Sequence, residues 1–178
     1  MAELTVETAY ATALFDAAND IGKENIILSE ITQIKKLLIQ NGEFLEFLKT
    51  PVIEQEDKKQ ALRDIFTGRI SKETLNFLYI LIDKRRMSKF IKIADMYTAL
   101  LNESRNISPG TIYSAVDLTY EQIKDFDEKV SNLIGKKAEL KNIKDPSIIG
   151  GVKIFVEGKV IDATIKKRLT DLEESLRI

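Results

Sequence analysis

The chain has 178 residues, 44% of them hydrophobic and 31% charged, with 27 basic and 28 acidic side chains and a formal net charge of −1. That length suits one medium domain or two small ones, and the balance is that of a folded globular chain rather than a disordered one. Neither Cys nor His occurs, which excludes disulfides, thiolate nucleophiles, imidazole bases and the preferred ligands of zinc.

Residues 4 to 105 read as helix after helix. Glu7 to Asp20 is rich in alanine, with Tyr10, Ala13, Leu14 and Ala17 at spacings that share a face. No Lys or Arg occurs in the first 20 residues, so no targeting segment is expected there. Ile27, Ile31, Ile34 and Leu38 give a second stripe, stopped at Asn41-Gly42. Phe44 to Leu48 makes a short helical turn that ends near Pro51. Ala61, Leu62, Ile65 and Phe66 mark a fourth helix. Ser71 caps a fifth, which carries Leu75, Leu78, Leu81 and Ile82, and Ser88 caps a sixth along Phe90, Ala94, Tyr97 and Leu101. The longest wholly apolar run, Phe77 to Ile82, is far shorter than the roughly 20 residues that cross a bilayer, so direct insertion is not expected.

The texture then changes. Asn106 to Gly110 holds Pro109 and Gly110 and reads as a joint between a domain at 1–105 and a second at 106–178. Strand-like Thr111 to Leu118 follows, then a helix on Ile123, Phe126, Val130 and Leu133, and a weaker strand at Ala138 to Ile143. Val152, Ile154 and Val156 alternate with Lys153, Phe155 and Glu157, and Glu157-Gly158 turns the chain into a returning strand. Asp162 is the expected N-cap of a last helix. The fold class is therefore mainly α: a six-helix bundle followed by a small α+β domain with a β-hairpin.

Gly158-Lys159 raises the question of a phosphate-binding loop. Such a loop requires a first glycine at position 153, which is Lys153, and a hydroxyl at 160, which is Val160. It must also open a helix, and here strand gives way to strand. The adjacent Gly150 and Gly151 instead fit a bulge or a close backbone approach. No cofactor or metal site is expected.

These residues carry a resemblance. Asp145-x-Ser147, then Ile148-Ile149-Gly150-Gly151-Val152, a hairpin, Val160-Ile161-Asp162 and Arg168-Leu169 are similar to the C-terminal signature of the delta subunit of bacterial F-type ATP synthases. The mitochondrial counterpart in that family is the oligomycin-sensitivity-conferring protein. Tyr10 to Ala18 resembles the family's first helix, Phe47 to Phe66 its proline-containing segment, and Asn76 to Tyr97 its fifth and sixth helices, with Arg86 at the basic position. The similarity spans almost the whole chain in order. Ala163-Thr164 departs from the frequent Gly-Ser but keeps the hydroxyl.

The resemblance implies a peripheral-stalk (stator) subunit without catalytic residues, on the cytoplasmic face of the bacterial cell membrane. Its bundle would hold N-terminal segments of alpha subunits of the catalytic head in a groove between helices one and five. The residues concerned would be Tyr10, Ala13, Leu14, Ala17, Phe77, Tyr79 and Ile80. Its C-terminal part would hold the b subunits, through Ile165, Arg168, Leu169, Leu172 and Leu176. Such a subunit keeps the head from turning with the rotor, so that proton or sodium flow is coupled to ATP synthesis.

On residues alone, Ala9, Ala13 and Ala17 suit either packing inside the bundle or an incoming helix. Lys84, Arg85, Arg86, Lys89 and Lys92 are the one feature favouring an RNA-binding bundle as the alternative. That reading wants interleaved aromatic side chains and a basic domain. The chain has 15 basic and 16 acidic residues up to Arg105 and 12 of each beyond it, so nucleic acid is not an expected partner. Asp125, Asp127 and Glu128 read as an exposed helix face rather than a catalytic cluster. Ile165, Leu169, Leu172 and Leu176 have coiled-coil spacing. Lys166, Lys167 and Arg168 at that helix's start and Glu173 and Glu174 near its end oppose the helix dipole. Either chance or a partner of reverse polarity accounts for that order.

Overall fold

A computed structural model describes residues 5–176; residue 4, expected to begin the helical half, and the outermost ends of both expected domains lie outside them. The chain divides into two compact units, Met1–Leu101 and Asn102–Ile178.

Among the described residues the first unit holds six α-helices: α1 (Val6–Asp20), α2 (Glu24–Gln40), α3 (Gly42–Lys49), α4 (Gln55–Phe66), α5 (Lys72–Asp83) and α6 (Phe90–Ser104), whose last residues run into the second unit. Thr5 and Ser71 start α1 and α5, each hydroxyl accepting the amide three residues on at 3.3 Å. The α2 carboxylate of Glu30 accepts the amide and hydroxyl of Ser71 and the hydroxyl of Thr74, at 2.7, 2.6 and 2.5 Å. One acidic side chain therefore ties α2 to the first turn of α5. The stripe Ile27, Ile31, Ile34 and Leu38 is buried, packed with Leu62, Phe66, Leu78, Leu81, Phe90 and Tyr97. Tyr97 is fully buried, and its hydroxyl donates to the Glu24 carbonyl at 3.1 Å. Ser88 does not cap α6. It sits inside a 3₁₀ turn, Met87–Lys89, that leads straight into the helix, because Met87 is drawn into the core.

The second unit is a mixed four-stranded sheet in the order β2-β1-β3-β4. Its elements are β1 (Ile107–Ser114), α7 (Tyr120–Ile134), β2 (Lys137–Lys144), β3 (Val152–Val156), β4 (Lys159–Asp162) and α8 (Ile165–Leu176). β1, α7 and β2 form a βαβ unit with parallel strands, and β3 then runs antiparallel to β1. Asn106–Gly110 is not a loop joint. Residues 107–110 are the first half of β1, paired with β2 from Ile107 opposite Lys137. Pro109 is tolerated there because β3 pairing begins only at Gly110, so proline has a strand on one side. Gly110 is needed for space: a Cβ there would lie 2.6 Å from Leu140 Cδ2 and 2.8 Å from the Phe155 carbonyl oxygen.

α7 opens with a capping box, Thr119 and Gln122 each bonding the other's backbone. Its buried face uses Val130, with Ile123, Phe126 and Ile134 alongside, while Leu133 points to solvent at 68% exposure, against the expectation. Asp127 is not part of a merely solvated face either. Its carboxylate accepts the Leu140 amide at 2.8 Å, tying α7 to β2, and burial pushes its pKa up. Glu157 and Gly158 both have positive φ, 49° and 72°, the requirement of a two-residue hairpin loop joining Val156 to Lys159. Gly158-Lys159 therefore serves a strand-to-strand turn.

Candidate functional site

The periodicity of α1 splits its alanines between two surroundings. Ala11, Leu14 and Ala18 face the bundle and are buried, whereas Ala9, Ala13 and Ala17 are exposed. Ala13 and Ala17 form the floor of a groove against α5, with Tyr10, Leu14, Phe77 and Ile80 among its walls. The groove has a volume of about 330 Å³. Phe77 is inserted at 7% exposure, and Ile80 stands on the rim at 48%. Tyr10 packs edge-on to Phe77, ring centroids 6.4 Å apart, and the Arg86 guanidinium lies 5.3 Å from the Tyr10 centroid. That cation–π contact favours this orientation of the ring. One ion pair involves the lining residue Glu73, and a second involves Glu7, one turn before Tyr10 on α1. Lys23 binds Glu73 at 2.8 Å, and Lys89 binds Glu7 at 2.9 Å. The hydrogen bond from Lys23, more than any other cause, holds the Glu73 carboxyl below its ordinary pKa; Lys89 does the same for Glu7.

Six of the seven residues expected at this surface line the groove. Tyr79 does not: it is half-buried against the bundle core on another side of α5. Residues 77, 79 and 80 cannot share one face at about 100° per residue, and only 77 and 80 do. Ile21, Asn76 and Glu73 also line the groove. Their signal was visible in helical spacing, since 76 and 80 are four apart, as are 17 and 21. In the basic cluster, Arg86 and Lys89 are engaged with Tyr10 and Glu7 rather than free.

The second surface is α8. None of its described side chains is buried, and Leu169, Leu172 and Leu176 are 60%, 58% and 82% exposed. A 12-residue helix is marginal in water on its own, so its start is fixed by the sheet. The expected cap Asp162 is displaced by two residues: Thr164 accepts the Lys167 amide at 3.2 Å, while Asp162 holds Thr164 by its amide at 3.0 Å and its hydroxyl at 2.7 Å. Ile165 donates to the Gly150 carbonyl at 3.0 Å. Gly151, at φ 82°, lets the backbone pass so close that any Cβ would overlap the Ala163 carbonyl oxygen. The two glycines therefore permit a close approach rather than a bulge. Thr164→Ala should weaken helicity of α8 by roughly 1 kcal/mol, read as faster amide exchange confined to 165–176.

Each of the two units has its own core, and among the described residues each presents apolar side chains that are exposed within that unit. Comparison with known proteins supplies the particulars. Residues 6–176 match the family model described as ATP synthase delta (OSCP) subunit. An ATP synthase subunit delta from Acetivibrio thermocellus is 42% identical over 172 residues, 96% of this chain and 97% of the relative. Those of Alkaliphilus oremlandii and Bacillus cereus are 37% and 34% identical, covering 99% and 96% of this chain and 97% and 95% of theirs. A chain in the cryo-EM structure of the Toxoplasma gondii mitochondrial ATP synthase hexamer shares the fold, with a TM-score of 0.70 at 20% identity over 98% of both chains. The chain belongs to the ATP synthase delta (OSCP) subunit family.

Proposed function

We propose that this chain is the stator adaptor of a rotary ATP synthase, binding the catalytic head through its bundle and the peripheral stalk through its C-terminal unit. It acts by holding, with no bond made or broken. The observation that carries the reading is the α1–α5 groove: apolar, floored by alanines that admit a closely packed helix, and edged by a tyrosine in contact with a guanidinium. N-terminal segments of alpha subunits are the proposed occupants. The b subunits are the proposed partner of α8. Torque resistance requires slow dissociation at both contacts, which a single weak surface does not provide.

No helix among the described residues is long and apolar enough to cross a membrane. Membership of the family supports a further reading: attachment to the membrane through the b subunits, with a peripheral location on the cytoplasmic face of the bacterial cell membrane. Coupling of proton or sodium flow to ATP synthesis is the consequence.

The stalk contact has a direct test. Leu169→Glu with Leu172→Glu replaces side chains already in water, so the melting temperature should move little. Affinity for a soluble b-subunit fragment should fall by roughly 100-fold, as two seam positions lose their burial. Unchanged affinity by calorimetry would remove α8 from the stalk contact. Separately, exchanging the signs of Lys166, Lys167, Arg168, Glu173 and Glu174 should alter both that affinity and its salt dependence.

A further inference from the structure

Away from the groove, the bundle contains a buried cation with no anion. Lys58 of α4 is only 6% exposed, and its ammonium donates to a single neutral acceptor, the Thr50 carbonyl, at 2.6 Å. Among the described residues no carboxylate reaches it. Its neighbours differ: Lys49 is paired with Glu46, Lys59 with Asp83 and Lys89 with Glu7. Buried charges are ordinarily paired, because a charge removed from water loses its hydration with nothing to replace it. Burial first, and then the positive charge of Arg85, push the Lys58 pKa down.

Lys58 and Arg85 line one pocket of about 260 Å³, together with Ser88, the start of α4 at Gln55, and apolar walls from Leu48 and Met87. The Arg85 guanidinium also makes no ion pair among the described residues. Glu54 lines the pocket but bridges to neither cation. The backbone of Arg85 adds a second, independent oddity. It ends α5 in the left-handed region, φ 54°, with its amide bonded to the Ile82 carbonyl and that of Arg86 to the Leu81 carbonyl. Glycine is the usual residue at that place in a helix C-terminus, because any other side chain meets the backbone there. An arginine that stands against backbone preference, in the lining of the same pocket as a buried lysine of like charge, fits a side chain needed for its charge.

We propose that this pocket binds an oxyanion, a phosphate or a carboxylate, between the Lys58 ammonium and the Arg85 guanidinium. The volume holds such a group with several waters, at roughly 30 Å³ each. The ammonium has donors left after Thr50, the guanidinium offers a planar fork, and the Ser88 hydroxyl supplies a further donor. The apolar walls lower the local dielectric, which strengthens both charge-assisted bonds. An anion seated there would separate two like charges and give the buried ammonium its counter-charge.

The experiment is thermal denaturation of the full chain in sodium phosphate, and separately in sodium acetate, each against sodium chloride at equal ionic strength. At about ten times the dissociation constant, a specific anion should raise the melting temperature by roughly 5 °C beyond chloride. The larger of the two responses identifies phosphate or carboxylate as the preferred group. Lys58→Met removes the buried charge for an apolar side chain of similar length, and Arg85→Gly relieves the backbone, so both variants should fold. Both should lose the anion response. Stabilisation no greater than with chloride for either anion overturns the proposal, as does a response that persists undiminished in either variant.

Discussion

Ala13→Trp should lower the affinity of the chain for an alpha-subunit N-terminal peptide by roughly 100-fold or more, with the melting temperature nearly unchanged. The two halves of that expectation have separate causes. Ala13 is exposed on the groove floor, so an indole there extends into space that belongs to the incoming helix and not into the core. Helices pack with axes about 8–10 Å apart, and a residue the size of tryptophan at the point of nearest approach forces them further apart. Losing close contact along one turn removes about 3 kcal/mol, which is the stated factor. Leu14→Trp is the control. Leu14 is 6% exposed and packs into the bundle, so overpacking there should lower stability by about 1–3 kcal/mol. Titration calorimetry and thermal melts on both variants separate a docking surface from a core face. If Ala13→Trp lowered stability as Leu14→Trp does, Ala13 would belong to the core.

Gly151→Val should destabilise the C-terminal unit by about 3 kcal/mol or more and leave the bundle intact. A β-branched residue at φ 82° is strained whatever the space around it. Here the space is also absent, since the new Cβ would meet the Ala163 carbonyl and lie 2.9 Å from Thr164 Cα. The strand start at Val152 and the bond from Ala163 to the Val152 carbonyl, 2.9 Å, would both have to shift. That displaces Thr164, and with it the cap of α8. Gly158→Ala provides the contrast. Its φ of 72° is similar but nothing lies within 4 Å of the added methyl, so only the backbone preference of about 1 kcal/mol is lost. Urea denaturation followed by amide exchange distinguishes the two. Loss confined to 102–176 is the expected pattern; equal effects for both glycines would mean that crowding at Gly151 is unimportant.

Much of the fold was legible because most elements obey one periodicity and one stop signal each. The α2 stripe at 27, 31, 34 and 38, and the alternation at 152, 154 and 156, are buried as their spacing requires. The misreadings share a cause: local chemistry was overruled by a distant partner. Pro109 and Gly110 look like a break, yet β2 and β3 recruit them into a strand. Ser88 looks like a cap, yet the burial of Met87 winds a 3₁₀ turn through it. Asp162 looks like a cap, yet the Gly150 and Gly151 backbone fixes Ala163 and Thr164, and the cap falls on the threonine. The candidate groove was half legible. Alanines at 13 and 17 share a helix face, but on residues alone they suit core packing as well, and it was the family resemblance that pointed to a groove between helices one and five; the cation over Tyr10 and the Glu30 clamp beneath α5 depend on side chains brought from elsewhere in the bundle. The unpaired Lys58 could not be read from sequence at all, because Lys59 beside it is an ordinary surface partner of Asp83.

A two-handed adaptor must meet one demand above the others: a single chain must bridge head and stalk, and half of it must not. Among the described residues the buried bundle core runs from Ala11 to Tyr97, with Tyr10 and Leu100 packed against it, so a fragment of residues 1–105 should fold and keep all of α6. The direct measurement is co-sedimentation of the catalytic head with a soluble b-subunit fragment, in the presence of the full chain or of fragment 1–105. The full chain should carry the b fragment down with the head. The short fragment should bind the head with nearly the same affinity and leave the b fragment in solution. Retention of the b fragment by the short piece, or failure of the full chain to join the two, would contradict the account.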